Sequence, residues 1–119
     1  MAAPNIVNVT TITGKTALAN ATTVASNVVV NPASSNTVLK LNSIIVSNVD
    51  GTNAADVTVS ILRASNSFAI ASTVSVAADA SLVVISKENT IYLEEGDAIT
   101  CVASANNDLQ IICSYEEIS

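Results

Sequence analysis

Residues 38–64 read VLKLNSIIVSNVDGTNAADVTVSILRA, and this stretch decides the fold class. Val38 to Asn48 is long and rich in β-branched residues, which is typical of a strand. Asp50-Gly51 is a turn signal of the kind that joins two strands. From Asp56 to Ala64 the residues alternate, with one face formed by Val57, Val59 and Ile61 and the other by Thr58 and Ser60. The stretch therefore predicts two strands, joined by a turn, that each bury one face.

The same alternation continues outward in both directions. Further strands are predicted at Asn5 to Thr13, before Pro32, at Phe68 to Val76, at Leu82 to Ser86, at Thr90 to Leu93, and in the segments AITCVASA and LQIICSYE. The first of them is expected to end at Gly14-Lys15. The strand from Phe68 is expected to place Phe68, Ile70, Val74 and Val76 on one face. Residues 17–26 fit either a short helix or an irregular arm. About eight to ten short strands without a long helix predict an all-β fold, an antiparallel β-sandwich or jelly roll.

Length and composition limit the organisation and the partners. At 119 residues the chain is expected to form a single domain, residues 1–119, in which 1–37 is a candidate N-terminal arm or edge segment. The net charge is −6 and the four cations are scattered, so we expect no nucleic-acid partner. No apolar run reaches membrane-spanning length and the first residues lack the features of a signal peptide, so we expect synthesis in a cytosol and no membrane partner.

The surface composition favours contact with other proteins. Only 12% of the residues are charged, and Asn, Ser and Thr supply most polar positions. Short uncharged side chains lose little rotamer freedom and are cheap to desolvate when they are packed against a neighbour. The alternative is an ordinary β domain that has few charges. Composition alone leaves both interpretations open.

The chain has two cysteines, Cys101 and Cys113, separated by a predicted turn at 106–108. A three-residue loop places every apolar side chain of both segments on one face, whereas a two-residue loop mixes the faces. The three-residue loop would make the cysteines direct cross-strand neighbours, close to disulfide reach. In a reducing cytosol we expect two buried thiols that act as small apolar groups, with a late disulfide as the alternative.

The residues that most catalytic and metal sites need are missing. There is no histidine, so a Ser-His-Asp or Cys-His arrangement cannot form, and two cysteines alone do not make a zinc site. We therefore predict no enzyme, no cofactor, and no catalytic or metal-binding residues. The acidic turn of Glu94, Glu95 and Asp97 has a calcium interpretation, but a solvated turn is favoured, and Glu116-Glu117 has the same two interpretations.

Two further groups of side chains have a functional and a structural interpretation. Polar residues around the Asp50-Gly51 turn could bind a cation or cap backbone groups, and capping is favoured; they are Asn48, Asp50, Asn53 and Asp56. The three aromatic residues, Phe68, Tyr92 and Tyr115, lie in alternating segments, which favours core or interface packing over sugar binding.

Three segments resemble small virion structural proteins of tailed bacteriophages, especially marine cyanophages with contractile tails. They are LNSIIVSNVDGTNAADVTVSI (41–61), SLVVISKENTIYLEEGDAI (81–99) and the ending CSYEEIS. The sharper part is IYLEEGDAI, a strand, an acidic glycine turn and the next strand. The resemblance covers roughly two-thirds of the chain and implies a virion component, without a site residue.

The resemblance implies several roles within a particle. Capsid decoration or cementing is favoured, with the major capsid protein as partner and a homo-oligomer as the state; a neck, tail or baseplate component and a receptor-binding fibre module are the alternatives. An arm at residues 1–13 could add a strand to a neighbouring subunit, although pairing within its own sheet is favoured.

Overall fold

The computed structural model describes residues 9–119, which form nine strands and one short 3₁₀ turn. In chain order the strands are β1 (Ile12–Asn20), β2 (Ser26–Val30), β3 (Val38–Asn48), β4 (Ala55–Arg63), β5 (Asn66–Val76), β6 (Ser81–Ile85), β7 (Ile91–Leu93), β8 (Ala98–Ala103) and β9 (Leu109–Ile118), with the 3₁₀ turn at Lys87–Asn89. Among these residues no helix is long and apolar enough to cross a membrane.

The strands form two antiparallel sheets. Sheet A has the order β1-β9-β3-β6, with β7 also paired to β3, and sheet B has the order β2-β8-β4-β5. This is the strand order of a jelly roll, to which β7 is added as a short extra strand. The predicted all-β antiparallel sandwich is confirmed.

The core lies between the sheets and is aliphatic. Inward side chains alternate along β9, which buries Leu109, Ile111 and Cys113. In the same sheet β3 buries Leu41, Ile44 and Val46, where a register shift between Leu41 and Ser43 moves the alternation by one residue. Sheet B meets them with Val57, Val59 and Ile99, all nearly inaccessible. The alternation seen in residues 56–64 therefore identified the inward face correctly, and Ile61 is partly buried against the core.

The N-terminal part differs from the prediction. The expected first strand, Asn5 to Thr13, falls partly on residues 5–8, which lie outside the described residues. The expected stop at Gly14-Lys15 is wrong, because β1 begins at Ile12 and continues through both residues to Asn20. The backbone of Gly14 pairs with Glu116, and a Cβ at Gly14 would meet nothing within 4 Å. Gly14 therefore occupies an ordinary position of an edge strand, where a residue with a side chain would also fit.

The ambiguous segment 17–26 is neither a helix nor an arm. Residues 17–20 complete β1, residues 21–25 form a loop, and Ser26 begins β2. Ala21 is fully buried and its amide donates to the carbonyl of Leu109 at 2.9 Å, so the loop is fixed to β9. Of the candidate arm at residues 1–13, Ile12 and Thr13 pair within their own sheet, opposite Ile118 and Glu117, whereas residues 1–8 lie outside the described residues.

The predicted common face of β5 is only partly formed. Register shifts in the pairing with β4 fall between Val57 and Val59 and between Val59 and Ser60, and Thr73 has φ of 50°. Such bulges rotate the strand, so Val76 is buried while Phe68 stays 62% exposed.

Candidate interaction surface

The acidic turn between β7 and β8 is an ion-paired structure. Arg63, the last residue of β4, donates from Nε to Asp97 Oδ1 at 2.8 Å and from Nη2 to Asp97 Oδ2 at 2.6 Å. Nη2 also donates to Glu94 at 2.9 Å, and the Glu94 amide donates to Asp97 Oδ2 at 2.9 Å. The turn is therefore joined to sheet B through a bidentate pair, the strongest geometry for guanidinium and carboxylate.

Asp97 corrects the expectation of a solvated acidic turn. Its carboxylate is buried, and the hydrogen bonds from Arg63 hold its pKa below the usual value while the same contacts raise the pKa of Arg63. Glu95 instead accepts from the Asn36 amide at 2.7 Å. Among residues 9–119 no group of three or more acidic or cysteine side chains could hold a metal ion.

The carboxylates at 116 and 117 also have structural partners. Glu117 is 3.1 Å from the Lys15 ammonium, which joins β1 to β9. Glu116 accepts from the Asn42 side-chain amide at 3.1 Å, and it lies opposite Lys40 in the sheet. The side chain of Tyr115 packs against the core.

Of the four polar residues at the Asp50-Gly51 turn, the side chains of Asn48 and Asp50 cap backbone groups, as expected. The Asn53 side chain donates to the Asp50 carboxylate instead, and Asp56 takes part through its backbone amide, which donates to the Ser104 hydroxyl. Asn48 is buried; its Nδ2 donates to the carbonyls of Asn53 and Val76, and its Oδ1 accepts from the Asp50 amide at 2.9 Å. Asp50 in turn accepts from the Thr52 amide, which lowers the pKa of Asp50. The cluster closes one end of the sandwich.

The two cysteines are buried and free, but they are not cross-strand neighbours. Cys101 lies on β8 in sheet B, opposite Val59 and Ser26, whereas Cys113 lies on β9 in sheet A, opposite Ile44 and Ala17. The predicted hairpin register is wrong because the chain crosses from one sheet to the other between them. Burial raises the pKa of Cys101 and raises that of Cys113 to about 11.

An apolar row crosses the outer face of sheet A. Leu18 lies opposite Ile112, Ile112 opposite Ile45, and Ile45 opposite Val83, so one side chain from each of four strands stands in line. Leu18 and Val83 are 74% and 59% exposed, Ile112 is exposed, and Ile45 is half-buried. We call these four residues the apolar row.

Uncharged side chains flank the apolar row on both sides. Toward one end of the sheet lie Asn20, Gln110, Ser47 and Ser81, and toward the other lie Thr16, Ser114 and Ser43. None of these side chains is charged, so a docking partner would not have to remove water from a charge. An exposed apolar patch with a polar rim is the usual mark of an interaction site.

A second apolar surface lies at the opposite edge of sheet A from β1. A groove of about 340 Å³ opens between sheet B and β7, and it is lined by Ile61, Arg63, Phe68, Ile91 and Tyr92. Phe68 is 62% and Tyr92 41% exposed, so two of the three aromatic residues are displayed here and are not core residues. We call this site the open-edge groove.

Neither the apolar row nor the open-edge groove was predicted from the sequence, and the reason is the same for both. Each surface is defined by which strands are neighbours, and alternation within a strand does not reveal its neighbours. The available signal was the apolar residue at an outward position, such as Ile112 beside buried Ile111.

Comparisons with known proteins support the fold. No protein-family model matches the chain, and no curated protein matches it. A solved structure of Bacillus endospore appendages, which form a family of disulfide-linked pili, aligns with a TM-score of 0.53 at 16% identity over 92% of this chain and 88% of that chain. At this identity the likeness shows the β-sandwich architecture only.

Proposed function

We propose that the chain is a non-enzymatic structural subunit of a phage virion, and that it decorates the capsid by docking the outer face of sheet A on the major capsid protein. The observation that supports this is the apolar row with its uncharged flanks. The resemblance of residues 41–61 and 81–99 to virion proteins supplies the setting. The fold likeness to an appendage protein is compatible with a structural role.

The size of the face fits attachment to a repeating array. Four partly exposed side chains offer far less than the roughly 800 Å² per partner of a standard stable interface. One such contact is weak in solution, and this keeps the free subunit soluble. On a capsid, many identical sites make the contacts add through effective concentration when neighbouring subunits also touch.

The buried thiols bear on whether the assembly is covalent. The endospore appendages are disulfide-linked pili, whereas both cysteines of this chain lie in its core. A disulfide between folded copies would need the sandwich to open first. We therefore propose that assembly is non-covalent.

Co-sedimentation with capsids that lack the protein tests the proposal. The double variant Val83→Asn/Ile112→Asn removes two members of the apolar row on exposed positions and should weaken binding at least tenfold. Val24→Asn is the matched control, since Val24 is 73% exposed but lies in the β1–β2 loop, off the row. Equal binding of the double variant and the wild type, or no binding by the wild type, would contradict the proposed docking face.

Copy number separates decoration from a neck, tail or baseplate role. Decoration requires hundreds of copies in each particle, whereas the other positions require a few to about two dozen. Quantitative gel or mass-spectrometric analysis of purified virions measures this directly.

A further inference from the structure

We propose that the free edge of β1 pairs in antiparallel register with the same edge of a second copy of this chain, with Thr16 facing Thr16 across a two-fold axis. The pairing joins the two copies of sheet A into one continuous sheet. The inference rests on the proposed structural role only for its biological setting, because its evidence is the backbone and the residue order of β1.

β1 is an open and regular edge. It ends sheet A and pairs only with β9 among the described strands. Its nine residues keep one register against β9 from Ile12 to Asn20, with no bulge, and seven of the nine are exposed. The described part of the chain leaves this edge uncovered, and an uncovered regular edge readily accepts another strand.

The other strands at the margins of the two sheets are irregular. β2 and β6 each have one register shift against their neighbours, and β5 has two. The margin that β6 forms is interrupted by the 3₁₀ turn and is continued only by the three residues of β7. Bulges and interruptions are common means by which proteins prevent edge pairing. Among the described edges, β1 lacks both of these protections.

The hydrogen bonds to β9 show which backbone groups of β1 are free. Thr11 and Ser119 exchange two hydrogen bonds of 2.9 Å, and the Ala21 amide donates to the Leu109 carbonyl at 2.9 Å. Because hydrogen-bonded residues alternate in an antiparallel pair, the odd-numbered residues of β1 bind β9. The N–H and C=O groups of the even-numbered residues therefore point to the open edge, and these residues are Ile12, Gly14, Thr16, Leu18 and Asn20.

A second copy is the indicated occupant because β1 is complementary to its own reversed sequence. With Thr16 on the axis, even-numbered residues meet even-numbered residues over all nine positions, so the free groups form about ten hydrogen bonds, two for each of five pairs. Small side chains lie opposite larger ones, since Gly14 meets Leu18 and Ala17 meets Lys15. Thr16 meets Thr16, which is a favourable cross-strand pair.

Charge and length favour the same register. Lys15 is the only charged residue of β1, and its ammonium lies 3.1 Å from Glu117 of its own chain. Pairing through the free edge leaves that ion pair intact and places no lysine directly opposite another. An axis at Gly14 or at Leu18 would leave only five residues of each strand paired, whereas the axis at Thr16 uses the whole edge.

The pairing has a consequence for capsid docking. A two-fold axis between antiparallel neighbours is perpendicular to the sheet, so the outer faces of both copies lie on the same side. The two apolar rows therefore share one face, with Leu18 of each copy still available to a capsid. Two linked contacts bind more tightly than one, which offsets the small size of a single row.

Chemical cross-linking tests both the partner and the register. Residues that meet on the axis have Cα atoms about 5.5 Å apart. A bismaleimide with a two-carbon spacer should therefore join two copies of Thr16→Cys, and it should leave the wild type uncoupled because both native thiols are buried. Thr13→Cys is the matched control. Residue 13 is exposed on the same strand, but its two copies lie six positions, or about 20 Å, apart, so it should cross-link at least tenfold more slowly.

A proline at the axis tests the hydrogen bonding. Thr16→Pro removes an N–H that points to the open edge and leaves the bonds to β9 in place, which is where a strand tolerates proline. Sedimentation velocity should show a monomer–dimer equilibrium for the wild type and for Thr16→Val, which keeps the N–H. The dimer dissociation constant of Thr16→Pro should be at least tenfold larger. Circular dichroism and urea unfolding confirm that each variant is folded, and if Thr16→Pro does not fold, the two cysteine variants decide.

Three results would overturn the inference. They are a wild type that stays monomeric at its highest soluble concentration, equal cross-linking at positions 13 and 16, and a folded Thr16→Pro that dimerises as the wild type does. A monomeric chain that binds isolated capsid protein, and loses that binding in Thr16→Pro, would assign the edge to the capsid protein instead. The dimer assay contains no capsid, so Val83→Asn/Ile112→Asn should dimerise normally, and failure of capsid docking leaves the result unaffected.

Discussion

Asp97 keeps a negative charge where water is excluded, and it can do so because Arg63 supplies two donors and the Glu94 amide a third. A buried charge without partners would cost several kcal/mol or would be neutralised by protonation. The acidic turn of the sequence thus contains two kinds of residue. Asp97 fixes the β7–β8 turn to β4, while Glu94 is an exposed outer partner of the same guanidinium.

Asp97→Asn should lower the free energy of unfolding by about 2 kcal/mol at pH 7, because it removes the charge that holds Arg63. Since the pKa of Asp97 is lowered from 3.8 in the folded state, its contribution is present above 3.8 and is lost as the pH falls through the folded pKa. Urea unfolding between pH 7 and pH 2 should show the two proteins converging in acid.

Glu94→Gln is the control for that measurement, because the Arg63–Glu94 pair is exposed on both sides and should contribute about 0–1 kcal/mol. An Asp97→Asn protein as stable as the wild type at pH 7 would show that the pair is dispensable.

Cys101 and Cys113 are free thiols that are buried in the core, and we expect both to be unreactive in the folded protein. Both should resist a thiol reagent in the folded protein at pH 8, since burial raises both pKa values, that of Cys113 to about 11, and excludes the reagent. Two thiols should react in denaturant without reductant. Failure of either to react there would reveal a disulfide and contradict the structure.

At the scale of the element, two buried asparagines close the ends of the sandwich. Asn48, on the last position of β3, reaches across to the carbonyl of Val76 at the end of β5. At the other end Asn31 follows β2 and donates to the carbonyls of Thr37 and Leu93. Each amide therefore links a strand of one sheet to a strand of the other, where the aliphatic core ends.

Asn48→Ala should cost about 2 kcal/mol of unfolding free energy, because it leaves two carbonyls and the Asp50 amide without their partner. Asn53→Ala changes an exposed side chain of the same turn and should stay within about 0.5 kcal/mol of the wild type. Equal stability of the two variants, measured by urea unfolding, would refute the cross-sheet role of Asn48.

The strands themselves were largely predictable, and their partners were not. Val38 to Asn48 was predicted with its observed ends, and the two closing segments were recognised as strands. Their pairing was wrong because alternation reports which side chains are buried, and β8 and β9 bury the same parity of residues from opposite sheets. Cys101 and Cys113 therefore face one core without lying side by side.

At the scale of the whole molecule, the topology joins residues that are far apart in sequence. Ile12 pairs with Ile118, and Val38 pairs with the same residue. The class of fold follows from local alternation, but the apolar row exists only after β1, β9, β3 and β6 have come together. An apolar residue at an outward position, such as Ile112, marks one member of the row, but only the order of the strands shows that four such residues lie in line.

Folding should be slow for a chain of this length. Long loops must close before β1 and β9 can pair, so we expect refolding in roughly milliseconds to seconds, the range of all-β sandwiches. Stopped-flow tyrosine fluorescence can follow it, since the chain has two tyrosines and no tryptophan. A microsecond phase that accounts for the full signal would be inconsistent with this topology.

The pairing of β1 with β9 also brings the first and last described residues together: the amides of Thr10 and Thr11 both donate to the carbonyl of Ser119. In a chain from which residues 1–9 are removed, a short peptide bridge from Ser119 to Thr10 could therefore make the backbone continuous, and new ends could be opened at the exposed turn around Gly51. Cargo genetically fused at position 119 would emerge at the same pole as residue 9, away from the Asn48 turn. A fusion at either of these two points therefore leaves the far pole of the sandwich uncovered.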